Sequence, residues 1–165
     1  MAYYPDLTPY IYDPYCAWPD LWNVGWLDGE HPYPQGPVSA EFVDRLWTFC
    51  QLRVERSRGI HWCKICAVDE PVIVEHNGEP WVVGTAEVRA LGAAGQVYAA
   101  PDMIYHYVTA HSYRPPDVFI EAILTGPQPD TPAYAEAMQR YGWKASTPEG
   151  RAMWMEQARE LQRQR

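Results

Sequence analysis

The chain has no run of 18 apolar residues, and no charged-then-apolar leader opens it. These absences argue against a membrane-spanning helix and set the expectation of a cytoplasmic protein. Basic residues are few and dispersed. Thirteen Lys and Arg stand against 21 Asp and Glu, for a formal net charge of -8. Such a surface repels nucleic-acid phosphate, and no Lys/Arg cluster announces a local exception. Cysteine is limited to four residues. In a secreted chain these would allow two disulfides in three possible pairings. Without an export signal, a Cys-x-x-Cys pair used for metal or redox work is the stronger expectation. Also missing are a phosphate-cradling glycine loop, a dinucleotide fingerprint, a His-Glu-x-x-His metalloprotease motif, the paired motifs of zinc deaminases and a Gly-x-Ser-x-Gly elbow.

Aromatic and proline residues are plentiful. The 165 residues include 8 Trp, 12 Tyr and 16 Pro, and 47% are hydrophobic. That is enough to bury a sizeable core in one domain, built from aromatic packing around proline-stiffened segments. No internal repeat or two-domain boundary is visible. The expected organisation is a single α+β domain over residues 1–165. It comprises an aromatic, largely irregular arm at 1–38, a core at 39–125 and a helical extension at 126–165.

Capping and turn signals divide the chain. Ser39 suits the N-cap of a first helix, with Phe42, Leu46 and Cys50 on its buried stripe. Asn77-Gly78 joins two apolar runs as a hairpin, and Thr85–Leu91 and Gln96–Ala99 read as a second pair of strands. The expectation is one compact antiparallel sheet of three or four strands. Its alternation puts Glu87 and Arg89 on the side away from Ala86, Val88 and Ala90, facing solvent. Pro101 suits the first turn of a helix ending near His111, before Arg114-Pro115-Pro116. A short helix follows over Asp117–Leu124. Thr131-Pro132 and Thr147-Pro148 open two further helices.

The chemistry concentrates in Gly59-Ile60-His61-Trp62-Cys63-Lys64-Ile65-Cys66. The Cys63/Cys66 spacing is shared by structural zinc sites, iron–sulfur centres and redox dithiols. His61 adds a third potential ligand, and borderline-soft zinc tolerates a mixed sulfur–nitrogen shell. A tetrahedral site needs a fourth donor, and the candidates are His106, His111, Cys50, Cys16 and His31. His106 and His111 are five residues apart, which on a regular helix separates them by about 140°. The expected ligand set is therefore His61, Cys63, Cys66 and His106 around zinc. His111 is left as an orienting or proton-transfer group. Were the fourth position open, bound water could act as a nucleophile, with His111, Glu87 or Asp102 moving protons. The plain alternatives are packed cysteines with a packed histidine, or a redox pair.

Several stretches together resemble a family of small, functionally uncharacterised bacterial proteins frequent in actinobacteria. They are Asn23-Val24-Gly25-Trp26-Leu27, Gly59 with His61, Cys63 and Cys66, and Tyr98 through Val108, continuing by His111, Tyr113, Pro115, Pro116 and Phe119 to Ile123. The resemblance implies that His61, Cys63, Cys66, His106 and His111 act together, and it implies no substrate.

The functional expectation is a metal-stabilised accessory or binding protein. Its partner would be a protein or a small aromatic or polar ligand, met by the aromatic arm. A small zinc-dependent hydrolytic or biosynthetic enzyme and an acidic inhibitor or immunity-like protein are the alternatives. Oligomeric state is not legible.

Overall fold

The computed structural model describes residues 3–12, 20–57, 59–67 and 69–164. Cys16, one of the candidate fourth donors, lies outside them. The fold is α+β, with five helices and two small sheets among the described residues.

Local chemistry sets most element boundaries. Helix α1 (Ala40–Leu52) starts where the Ser39 hydroxyl accepts the Phe42 N–H at 3.1 Å, and it buries Phe42, Leu46, Trp47, Phe49 and Cys50. It ends at Arg53, whose left-handed backbone (φ 54°) turns a long cationic side chain inward. Asn77 and Gly78 both adopt positive φ, as the tight hairpin between β2 (Val72–His76) and β3 (Glu79–Val83) requires. Thr131 and Thr147 cap α4 (Pro132–Tyr141) and α5 (Pro148–Arg163), each with proline in the first turn.

The strands do not form one antiparallel sheet. Gly84 breaks the chain after β3 at a φ of +97°, where a Cβ would lie 2.2 Å from the His61 carbonyl oxygen. The hairpin therefore stands apart. Strand β4 (Glu87–Leu91) pairs antiparallel with β5 (Val97–Pro101), and the third partner comes from the arm. There β1 (Leu21–Asn23) runs parallel to β5, pairing Leu21 with Val97 and Asn23 with Ala99. The arm is thus part of the sheet. Trp26 fixes it further by donating its indole N–H to the Ala99 carbonyl at 2.9 Å.

Two expectations change here. Pro101 ends β5 and does not begin a helix; α2 spans Ile104–His111, followed by α3 (Asp117–Thr125). Glu87 and Arg89 do not face solvent, because the arm covers that side of β4. They form a buried ion pair at 2.8 Å; the Tyr10 hydroxyl donates to Glu87 at 2.8 Å, and Arg89 lies 4.6 Å over the Tyr10 ring. Burial and the Glu87 carboxylate push the Tyr10 hydroxyl far above the usual phenol range.

The last two helices belong to the core. Tyr134 is fully buried and donates to the Arg89 carbonyl at 2.7 Å. Trp154 donates to the Val82 carbonyl at 2.9 Å, and its ring lies 3.9 Å under the Arg53 guanidinium. Desolvation lowers the Arg53 pKa to about 10, so the ring over this buried cation contributes to keeping it charged. Trp154→Ala is expected to lower unfolding stability by about 2–3 kcal/mol, through lost packing and the uncovered guanidinium. Met153→Ala next to it, at a site 75% exposed, is expected to change stability by less than about 0.5 kcal/mol. Chemical denaturation of the two variants side by side checks the contrast.

Candidate metal centre

Two segments meet at the centre. The first is the loop from Gly59 to Ala67, which turns at residues 64–67 and brings Cys63 and Cys66 to one side. The Cys66 backbone N–H donates to Cys63 Sγ at 3.3 Å, the local contact that sets a Cys-x-x-Cys turn for two thiolates. The second segment is α2, which supplies His106 and His111.

The donor atoms of Cys63, Cys66, His106 and His111 all lie within 4.8 Å of one another. His111 Nε2 is 3.3 Å from Cys63 Sγ, 3.2 Å from Cys66 Sγ and 3.1 Å from His106 Nε2. Cys66 Sγ is also 3.3 Å from His106 Nε2. Two cysteines and two histidines are therefore close enough to bind one metal ion. Cys63 is buried and Cys66 lies at the surface.

The structure thus brings together Cys63, Cys66 and His106, with His111 in the place expected for His61. The separation of about 140° holds for Cα positions around the helix axis and not for the donor atoms. At the last residue of α2 the Cα–Cβ bond leans back toward the preceding turn, and the imidazole spans the remaining offset. Ser112 follows in a left-handed conformation, so the helix stops there. His61 is held elsewhere. Its N–H donates to the Gly84 carbonyl at 2.7 Å, which pins it at the β3–β4 corner, and its Nε2 lies 3.4 Å from the Tyr12 hydroxyl. Cys50 is fully buried, with its thiol toward the Asp102 carbonyl at 3.6 Å. His31 pairs with Asp28 at 3.0 Å. Cys16 lies outside the described residues.

Burial sets the protonation states. Desolvation, with His111 adjacent, lowers the His106 pKa to about 4, and burial also lowers that of His111. Both rings are thus neutral near pH 7, the form that binds metal. Desolvation and the neighbouring Cys63 raise the Cys66 thiol to about 11. That thiol keeps its proton until an ion displaces it.

The remaining sequence candidates line a separate cleft with His61, Tyr12, Trp26 and Ser57. Glu87 is held there by Arg89 and Tyr10. Asp102 is fully buried and accepts the Gly84 N–H at 2.6 Å and the Thr85 N–H at 3.4 Å. The cleft has an accessible volume of about 20 Å³, the scale of one water molecule. Sequence reasoning also missed a polar network behind α2, in which His76 meets Tyr105 at 2.9 Å and Asp44 at 3.2 Å. Nothing local signals it, because its partners lie far apart in the chain.

Burial outweighs the two N–H donors and nearby Arg53 at Asp102, raising its pKa from 3.8 to about 6. The folded state therefore holds that proton more tightly than the unfolded chain. Its contribution to stability is fully present below about pH 4 and is lost as pH rises through about 6. The loss amounts to roughly 3 kcal/mol at about 1.4 kcal/mol per pKa unit. Melting curves across this window are expected to show that fall in the natural chain and to lack it in Asp102→Asn.

No curated protein and no solved structure matches the chain. A family model described as a domain of unknown function, DUF7919, matches residues 2–124, which include all four donors and both segments that carry them. By that match, the chain belongs to the DUF7919 family.

Proposed function

We propose that Cys63, Cys66, His106 and His111 hold a structural zinc ion, and that the protein is a metal-stabilised accessory or binding protein. One observation carries this reading: four donors of the right chemistry already converge. Tetrahedral zinc with sulfur at about 2.3 Å and nitrogen at about 2.0–2.1 Å sets its ligands roughly 3.3–3.8 Å apart. The nitrogen–sulfur and nitrogen–nitrogen separations of 3.1–3.3 Å need a slight expansion, and the widest donor pair, within 4.8 Å, a contraction, to meet that range. When bound, the ion would supply a cross-link between the loop and α2.

The donor count favours structure over catalysis. A catalytic zinc keeps one position for water or substrate, whereas four protein ligands close the shell. His111, the residue expected to move protons beside an open metal, stands among the donors. Glu87 and Asp102 border a water-sized cleft, far below the roughly 300 Å³ at which small-molecule pockets begin. Among the described residues no helix is long and apolar enough to cross a membrane, and this accords with a cytoplasmic setting. A bacterial source is part of the same reading, from the sequence resemblance. So is a one-domain organisation, with α4 and α5 packed into the shared core.

Elemental analysis of untagged protein is expected to give one zinc per chain. Cys63→Ser, Cys66→Ser and His111→Ala should each lose it, while His61→Ala should keep it. Retention of full zinc by the His111 variant, or its loss from the His61 variant, would restore the His61 ligand set. Removal of the ion by a chelator should lower the melting temperature. At free zinc a thousandfold above Kd the ion is worth about 4 kcal/mol.

Zinc uptake near pH 7 should also release at least the Cys66 proton, because that thiol otherwise titrates near 11. Calorimetric binding enthalpies measured in two buffers of different ionisation enthalpy should differ accordingly. Identical enthalpies would count against thiolate ligation.

A further inference from the structure

We propose that a groove on the arm, between Tyr3–Asp6 and Leu27–Pro34, binds an extended, proline-containing peptide segment that carries arginine or lysine. This gives the binding protein of the preceding section a class of partner. It rests on that reading only for the kind of activity, since none of the four metal donors lines the groove.

The groove has an accessible volume of about 210 Å³. That is below the roughly 300 Å³ of a small-molecule pocket, and it suits one or two rings or side chains of a longer ligand. Its lining includes Tyr3, Tyr4, Tyr33, Pro32 and Pro34. The rings are held in place from behind. Tyr3 stacks on His31 at 3.8 Å and 3°, and Asp28 in turn holds His31. Tyr4 packs edge-on against Trp26, and Tyr33 against Tyr113. Fixed aromatic faces of this kind recognise polyproline-type segments, whose backbone is already extended and loses little entropy on docking.

Charge selects the ligand further. Residues 1–38 contain Asp6, Asp13, Asp20, Asp28 and Glu30 and no Lys or Arg. Asp6 lines the groove itself. Tyr113 and Gly25 donate to it at 2.8–2.9 Å, and a carboxylate with four lone-pair sites retains acceptor capacity beyond them. A cationic side chain is thus both steered to the arm and met there.

Beside the groove the arm already receives one arginine of the chain through its carbonyls. Arg114-Pro115-Pro116 begins alongside Pro34–Pro37. The Arg114 N–H donates to the Pro34 carbonyl at 2.9 Å, and its guanidinium donates to the Pro37 carbonyl at 2.8 Å. Proline lacks an N–H, so this stretch presents acceptors with few competing donors. An arginine-proline sequence is the chemistry those acceptors bind in place.

Fluorescence anisotropy with the full zinc-loaded chain tests the proposal. The probe is a labelled peptide of four Pro-Pro-Arg repeats, with Pro-Pro-Glu and Gly-Ser-Arg repeats as controls. Saturable binding of the Pro-Pro-Arg peptide in the roughly micromolar range is expected. It should weaken about tenfold or more in Tyr3→Ala and in Tyr33→Ala. The Pro-Pro-Glu peptide should not bind. The proposal is overturned if the Pro-Pro-Arg peptide does not saturate, or if the Gly-Ser-Arg peptide binds equally well, which would mean charge alone. It also falls if Tyr3→Ala leaves affinity unchanged while still folded by its melting curve, or if a cello-oligosaccharide or a second copy of the chain proves the better occupant. Zinc content measured on the same samples keeps failure of this groove separate from failure of the metal reading.

Discussion

A buried aspartate at the β5–α2 junction holds the architecture around the candidate metal centre. Asp102 receives the N–H groups of Gly84 and Thr85, and its own N–H donates to the Ala86 carbonyl at 2.9 Å. Its carbonyl faces the Cys50 thiol of α1 and accepts the Tyr105 N–H. Arg53, at the end of α1, reaches the same corner by donating to the Thr85 hydroxyl. One residue, through its carboxylate and its backbone, thus ties the β3–β4 corner, the start of α2 and the inner face of α1. The candidate donors come from both sides of this knot. His106 and His111 ride on α2, which follows Asp102 by two residues. Cys63 and Cys66 follow His61, whose backbone is fastened to Gly84. The Asp102 carboxylate is desolvated there, and the neighbouring N–H groups and Arg53 only partly offset that cost.

A second buried polar group locks the arm and tail onto β4. Glu87 and Arg89 form the ion pair, Tyr10 supplies a hydroxyl and an aromatic face, and Tyr134 caps the Arg89 carbonyl. Breaking such a pair by removing one partner commonly costs about 3–5 kcal/mol, because the other charge is left buried. The arrangement does more to specify packing than to add net stability. An arm rich in interchangeable aromatic rings gains one register from it, since Tyr10 meets both the carboxylate and the guanidinium.

The elements legible from sequence are those set by neighbours in the chain. Ser39, Thr131 and Thr147 cap helices within three residues of themselves, and Asn77-Gly78 forms its hairpin within four. Cys63 and Cys66 announce themselves by spacing for the same reason. What escaped the sequence depends on distant partners. Glu87 alternates like a solvent-facing residue until Tyr10, 77 positions earlier, covers it. The parallel pairing of β1 with β5 joins the arm to a strand some 75 residues away and leaves no periodic trace in three residues. The structure sets His111, rather than His61, beside the two cysteines, because helix-end geometry outweighs proximity in the chain. A histidine two residues from Cys63 was drawn to the Gly84 corner, while one 48 residues away was carried back by α2.

This division of labour bears on what the ion would do. Helix α2 is framed by Asp102, by the buried Ile104, Tyr105, Tyr107 and Val108, and by a left-handed stop at Ser112. The backbone framing at Asp102 and Ser112 does not involve Cys63 or Cys66. The loop is different. Beyond the His61–Gly84 hydrogen bond, residues 62–67 reach no other element through a backbone hydrogen bond among the described residues. Their ties to α2 run through Cys63 and Cys66. Loss of the cross-link would therefore act first on the loop and leave α2 in place, because loops with few buried contacts open at the low end of the local-stability range. The helix would then be a preformed half-site presenting two neutral imidazoles. Metal binding would chiefly order the half that carries the thiols.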